Sequence, residues 1–366
     1  MKSLGVFVSG GPGPGINACL AGIYHHCCIK GVEVVGLKHS FKSFFEDWRR
    51  DVVKFSSDLI SEIQFQGGSY ILCSRTNPLI DSHALRNFEE FLDEMAIRGI
   101  VVIGGDGSTF LSNQIKQRFE NINIVVCPKT IDNDLPLPNF APTLGFSTAR
   151  NVGSELVQTM INDASSSERW FIVTCMGRNT GFLSAGVTIS SGAQGLLIPE
   201  EFSAQVSLAQ VVDAVMNVIE TRMRAGKGWG VYIVAEGILS KLDDSILSNA
   251  PRDQFGRYQY REFPVGDLIV HELKKSYRDQ IFIHKDLGFE LRGARPLAYD
   301  VEYGFTLGWG AVKFIEMGLS GIVFREWQET QLMPFSQVLD SNQNVLSRRV
   351  DVHSEYFKLA KNCSMK

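Results

Sequence analysis

Short apolar runs that stop abruptly on glycine-rich turns constrain this chain more than any other feature. Residues 4–8 (LGVFV) run into Ser9, Gly10 and Gly11, and residues 99–103 (GIVVI) run into Gly104 and Gly105. After each turn the pattern becomes helical, over 16–29 and 109–119, and apolar runs return at 32–37 (VEVVGL) and 122–126 (INIVV). Strands without polar alternation are covered on both faces, and their alternation with helices predicts parallel sheets. A second series begins near Gly145. Residues 148–163 carry Val152, Leu156, Met160 and Ile161 near one helical face, and 171–175 (FIVTC) and 230–235 (GVYIVA) are its strands. The fold class is therefore α/β, with two doubly wound domains, which suits a length of 366 residues. The segment 240–260, rich in Ser, Asp and Arg, is expected to form a surface loop and helix excursion.

Composition narrows the function. Lys and Arg total 36 against 40 for Asp and Glu, a net charge of −4, so the basic surplus of a nucleic-acid binder is missing. Seven cysteines without a C-x-x-C spacing point to reduced thiols and a cytoplasmic address, and the scattered histidines give no zinc cluster. Residues 1–8 enter a strand pattern without a signal-peptide layout, and no apolar run approaches a membrane span. A soluble intracellular protein without a membrane partner is expected.

Three strand-end segments carry chemistry. In residues 9–15 (SGGPGPG) bare backbone and a following helix N-terminus suit a phosphate, although the same residues serve a tight turn that binds nothing. Residues 104–108 (GGDGS) offer Asp106 as a carboxylate for Mg²⁺ and Ser108 as a donor; an ordinary D-G turn reads the same, and GGDG also occurs in NAD and lipid kinases. Residues 128–134 (PKTIDND) bring Lys129, Thr130, Asp132 and Asp134 together, and an extended backbone would aim both carboxylates to one side. One of such a pair can take a hydroxyl proton while the other orients the substrate.

Taken in order, GGDGS, PKTIDND and MGRNTG (176–181) resemble the 6-phosphofructokinase family. The resemblance starts at SGGPGPGIN (9–17), passes GGSYILCSRTNP (67–78) and SSSER (165–169), and continues through IPEE (198–201), AEG (235–237) and GFELRG (288–293). It covers most of the chain, and TIDND followed by MGR-x-x-G is its most specific part. It implies mostly parallel central sheets and an active site in the cleft between two domains. The donor-binding domain would be 1–145, completed by about 290–325; the sugar-phosphate domain would be 146–289, with 326–366 a C-terminal extension.

The implied reaction is Mg²⁺-dependent phosphoryl transfer to the 1-hydroxyl of fructose 6-phosphate, giving fructose 1,6-bisphosphate. By the resemblance, Asp132 is the base, Thr130 and Asp134 position sugar and phosphoryl group, and Asp106 carries the metal. Gly11, Gly105, Ser108 and Lys129 lie along the donor's phosphates, while Arg75 and Arg178 stabilise the transferring group. Met176, Gly177 and Glu236 line the sugar pocket, and Arg292 and Arg169 reach the 6-phosphate. In the family the arginine matching Arg169 comes from a neighbouring subunit, so a homo-oligomer, dimer or tetramer, is expected. Departures from the bacterial pattern are Pro12 for an Asp, Phe289 for a phosphate-binding His, and Ile283 for an Arg, with His284 or Lys285 as candidate replacements. Ala21 and His25 stand where bacterial members place effector-binding arginines.

The donor is read from Gly107, where pyrophosphate-dependent members carry an Asp that repels a nucleotide's α-phosphate. Lys129 is what pyrophosphate enzymes use, and it also occurs in ATP-dependent branches. ATP is the expected donor, with Phe41 as a candidate adenine platform; pyrophosphate is the alternative. A catalytically silent regulatory subunit and an NAD or lipid kinase are the other readings.

Overall fold

A computed structural model describes residues 1–248, 251 and 263–364. Among them are eleven strands: β1 Ser3–Val8, β2 Glu33–Leu37, β3 Val52–Lys54, β4 Ile97–Gly104, β5 Asn123–Pro128, β6 Arg169–Cys175, β7 Gly195–Leu197, β8 Gly230–Ala235, β9 Ile281–Leu287, β10 Gly321–Glu326 and β11 Glu329–Met333. The chain divides into two compact units. The first comprises Met1–Ile131, Leu135–Ala149 and Arg292–Ser347; the second comprises Asp132–Asp134, Arg150–Leu291 and the chain from Arg348.

The first unit holds a seven-stranded sheet in the order β11-β10-β5-β4-β1-β2-β3. Its interior pairs are parallel, with β2–β3 and β10–β11 antiparallel at the edges. Val6 pairs Val101 and Val8 pairs Ile103. Alternate residues enter two cores: Val6, Val8, Val101 and Ile103 face one, and Phe7, Ile100 and Val102 face the other. Both faces are apolar, which is why these strands read as continuous runs. The chain goes from β1 to β2 on one side and to β4 on the other, so strand order reverses at β1. Open α/β sheets bind ligands at such a point, outside the carboxyl ends of the strands.

The tail differs from expectation, since 326–366 is no separate extension. Glu329–Met333 pairs antiparallel with β10, and Met333 and Phe335 are buried in the core, so this stretch completes the first sheet. From Arg348 onward the chain belongs to the second unit.

The second unit holds a four-stranded sheet, β7-β8-β6-β9, in which every pair is parallel. Trp170, Ile172, Tyr232, Val234 and Phe282 form its core with the helices Leu208–Arg224 and Val265–Ser276. The C-terminal helix Glu355–Ser364 packs on the helix Phe182–Ser191 and buries Phe357 and Ala360. The excursion expected at 240–260 lies partly outside the described residues. Its described part buries Leu242 and Leu247, so it is not wholly superficial. Among the described residues no helix is long and apolar enough to cross a membrane.

The helix expected at 16–29 is Ile16–Lys30, and the one expected at 148–163 extends over Phe146–Ser167. The start of the second is fixed by Asp300, which is fully buried. Its carboxylate accepts from Gly145 N (2.9 Å), Thr148 N (2.7 Å) and Thr148 Oγ1 (2.5 Å). A carboxylate there satisfies amides that a helix start leaves without intrahelical partners. Asp300→Ala should lower unfolding free energy by about 2–4 kcal/mol, the cost of stranding buried donors. Chemical denaturation measures this, and a loss near zero would show that the contacts are replaceable.

Candidate functional site

In the first unit the ends of β1, β4 and β5 converge. Ser9 N donates to Ile103 O (3.0 Å), Gly10 N to Ser74 O (2.8 Å), and Lys129 N to Gly104 O (2.9 Å). These bonds draw together the turns carrying Gly11, Arg75, Gly105 and Lys129. A Cβ on Gly11 would lie 2.7 Å from Arg292 Nη1 and 3.7 Å from Arg75 Nη2. A side chain there would push the Arg292 guanidinium aside, while Arg75 stands at ordinary contact distance. That geometry suits an anion.

Lys129 is 4% exposed, and its Nζ donates to Ser9 O (3.1 Å) and to Gly11 O. Burial pushes its amine down to about 8; Arg75 and Arg292 push the same way, against Cys73 and Asp106. Three cations and one carboxylate are thus electrostatically coupled around the glycine turn. Asp106 is the first residue of the helix Asp106–Arg118, Gly105 is its N-cap, and Gly107 is exposed in its first turn. Ser108 is buried beneath them. Thr130 is half-buried, and its carbonyl accepts from Thr143 Oγ1 (2.6 Å). Among the described residues no group of three His, Cys, Asp or Glu side chains could hold a metal. Asp106 alone fits the magnesium pattern of one carboxylate plus phosphate oxygens.

One expectation changes here. Phe41 is fully buried in the turn Ser40–Phe45, its ring stacked on Phe7 at 4.4 Å and 10° with Phe44 and Phe88 around it. It is core and offers no face to a base. Arg292, expected at the 6-phosphate, has its guanidinium beside the backbone of Gly11, where Arg75 also approaches.

In the second unit, Asn133 adopts the left-handed conformation (φ 57°), so residues 132–134 form a turn and not the extended segment expected. Asn tolerates this region better than most residues. Asp134 is buried and Asp132 half-buried. Cys175, the last residue of β6, is pushed up to about 12, chiefly by burial and further by Glu236, Asp132 and Glu290. These carboxylates therefore surround the end of β6.

Residues 176–181 follow directly. Gly177 N donates to Glu236 Oε1 (3.4 Å), and Gly237 N donates to Gly177 O (3.2 Å). A Cβ on Gly237 would come within 2.5 Å of Arg178 O, so glycine is needed for the two turns to meet. Gly181 N donates to both oxygens of Glu200 (2.9 and 3.1 Å), which also accepts from Val350 N (3.0 Å). A pocket here is lined by Thr174, Met176, Glu236, Asp286, Gly288 and Glu290 among others. It unites Met176 with Glu236, as expected from the motifs. Arg178 is half-buried in the turn.

Arg169 is not brought to this pocket. It begins β6, ion-paired with Asp163 at 3.7 Å, whereas Met176 follows the strand's other end, roughly 20 Å away at 3.3 Å per residue. His284, a candidate phosphate ligand, is already occupied. Its Nδ1 meets Asp267 Oδ1 (2.8 Å), and its Nε2 meets Thr174 Oγ1 (2.8 Å) and Asp286 Oδ1 (3.2 Å). Lys285 is exposed on the alternate face of β9. Glu200, inside the IPEE segment, and Arg348, which no motif announces, contact the functional turns from segments distant in sequence.

Cation-lined glycine turns at the switch point of one sheet, and a carboxylate-rich pocket at the strand ends of another, fit an α/β phosphotransferase. Residues 3–315 match the family model described as phosphofructokinase, and the chain belongs to that family. The pyrophosphate–fructose 6-phosphate 1-phosphotransferase of Thermotoga maritima is 35% identical over 375 residues, covering 98% of this chain and 90% of that protein. ATP-dependent 6-phosphofructokinase 1 of Thermus thermophilus is 29% identical over 348 residues, covering 94% and 96%. The crystal structure of Pichia pastoris phosphofructokinase matches with a TM-score of 0.73 at 22% identity, over 92% of this chain and 35% of that one. The chain spans about a third of that protein's length, and the likeness is one of fold.

Lys129 makes a prediction with a definite sign. Its folded value of about 8 lies below the ordinary 10.5, so the unfolded chain binds more protons between those pH values and stability rises with pH across that window. Relative to Lys129→Met, the ligand-free wild type should gain about 1–3 kcal/mol over that rise, at roughly 1.4 kcal/mol per pKa unit. Urea unfolding of both proteins across the window measures it; parallel pH profiles would show that the amine is not held as described.

Proposed function

We propose that this protein transfers a phosphoryl group from ATP to the 1-hydroxyl of fructose 6-phosphate. The observation that carries the reading is the cluster of Arg75, Arg292 and Lys129 around the bare backbone of Gly11, with Asp106 coupled to it. Phosphoryl transfer proceeds mainly by positioning and by stabilising charge on the equatorial oxygens, which this set of cations can do. Asp106 would hold Mg²⁺ together with the donor's phosphates; when bound, the ion neutralises charge developing on them. Gly105 and Ser108 start the helix whose N-terminus favours the same anion.

Asp132 takes the proton from the sugar hydroxyl as its oxygen bonds to phosphorus and the donor's bridging bond breaks. Thr130 and Asp134 orient the reacting groups, and Arg178 meets charge on the transferring phosphoryl. Met176, Gly177 and Glu236 hold the sugar. Arg292 is assigned to the phosphoryl side because of its place beside Gly11. Arg169, remote from its own chain's pocket, serves a neighbouring copy, which makes the working form a homo-oligomer acting in the cytoplasm.

ATP is chosen because Gly107 is exposed in the first helical turn and presents no carboxylate against a nucleotide's α-phosphate. Pyrophosphate is the second reading. Lys129 on the glycine turn, the loss of Phe41 as a base platform, and the Thermotoga maritima relative's name favour it. Coupled assays with each donor decide the matter: turnover with pyrophosphate and none with ATP would reverse the assignment. Gly107→Asp should raise the KM for ATP far more than that for fructose 6-phosphate. Asp132→Asn should lower kcat by about 10²–10⁴-fold, the usual contribution of a general base. A kcat near wild type would remove Asp132 from that role. Wild-type protein inactive with both donors until a partner subunit is added would favour the silent-subunit reading.

A further inference from the structure

The short stretch that opens the second unit's C-terminal segment touches both of that unit's functional turns. Arg348 is 9% exposed. Its Nε donates to Asn133 O (3.1 Å), its Nη2 donates to Asn133 Oδ1, and its backbone N donates to Asp134 O (2.7 Å). The guanidinium lies 5.4 Å from the ring centre of Phe182, the residue immediately after the 176–181 turn. Two residues on, Val350 N shares Glu200 with Gly181 N.

These contacts have one geometric consequence. Asn133 sits in a left-handed conformation that only surrounding contacts hold in place, and its neighbours in sequence are Asp132 and Asp134. A planar fork that binds both the carbonyl and the side-chain oxygen of Asn133 fixes the direction of the turn, which a single ammonium does not do. Glu200 fixes the following turn to the same stretch.

We propose that Arg348 is a positioning residue for the phosphoryl-transfer reaction, locking the 132–134 turn so that the Asp132 carboxylate stays aimed at the sugar hydroxyl. The inference rests on the reading of Asp132 as the base. Arg348 acts on the turn through both oxygens of Asn133 and the carbonyl of Asp134. Displacement of a reacting group by about 1 Å can cost ~10²-fold in rate.

The experiment measures kcat, both KM values and thermal unfolding for Arg348→Ala, Arg348→Lys, Asp132→Asn and the double variant Asp132→Asn/Arg348→Ala. Both Arg348 variants should lose kcat by roughly 10–100-fold with each KM changed less than about 3-fold. In the Asp132→Asn background Arg348→Ala should add less than about 2-fold, because the carboxylate it positions is gone. Should Arg348→Ala fail to fold, Arg348→Lys carries the test, since it keeps the charge and the stem over Phe182 but cannot make the fork. An Arg348→Lys kcat within twofold of wild type, alongside an impaired Asp132→Asn, would overturn the proposal alone. So would an undiminished loss in the double variant. A wild-type kcat for Asp132→Asn would overturn the base assignment first, and the proposal with it.

Discussion

Burying a parallel sheet on both faces leaves the strand ends as the place where the backbone can meet charged side chains. In the first unit β1, β4 and β5 are apolar on either side, so the chemistry collects on the turns after Val8, Gly104 and Pro128. Backbone hydrogen bonds between those turns set their spacing to within a few tenths of an ångström. Guanidinium groups then approach Gly11 from residues 75 and 292, which are far apart in sequence. The site is thus a product of sheet order before it is a product of motif.

Lys129 shows what that placement demands. An ammonium buried beside two guanidinium groups is opposed by desolvation and like charge, and carbonyl oxygens of the glycine turn, Cys73 and Asp106 act against this. A negatively charged phosphate at the turn would be attracted by the three neighbouring cations. Within the proposed reaction, a phosphate-bearing donor is the chemical complement of such a cluster. The same arrangement holds for a nucleotide or for pyrophosphate, because both present phosphate oxygens to the same cations. Discrimination has to come from what lies beyond them, at Gly107.

The parts of this protein that follow from local rules were legible in its sequence. Continuous apolar runs mark strands with both faces covered, and glycines just after them mark the ligand edge. What escaped depends on contacts between distant segments. Phe41 looks like a base platform until Phe7, Phe44 and Phe88 close around it. The paired aspartates suggest an extended segment until Asn133 turns left-handed. The tail from 326 looks like an appendage until β11 pairs with β10. Arg348 carries no motif, and its importance rests on the oxygens of a residue 215 positions earlier.

The second unit's pocket poses a charge problem of its own. Glu236, Asp286 and Glu290 line it, and among the described residues no Lys or Arg lines it. Carboxylates suit sugar hydroxyls, which donate hydrogen bonds, but they repel a phosphate dianion. His284 does not solve this, because Asp267, Thr174 and Asp286 already engage its nitrogens. Arg169 stands at the far end of β6, held to Asp163 at 3.7 Å by a half-exposed ion pair that is weak enough to exchange partners. Within the proposed reaction, an arginine too distant for its own pocket is free to serve the pocket of a second copy of the chain.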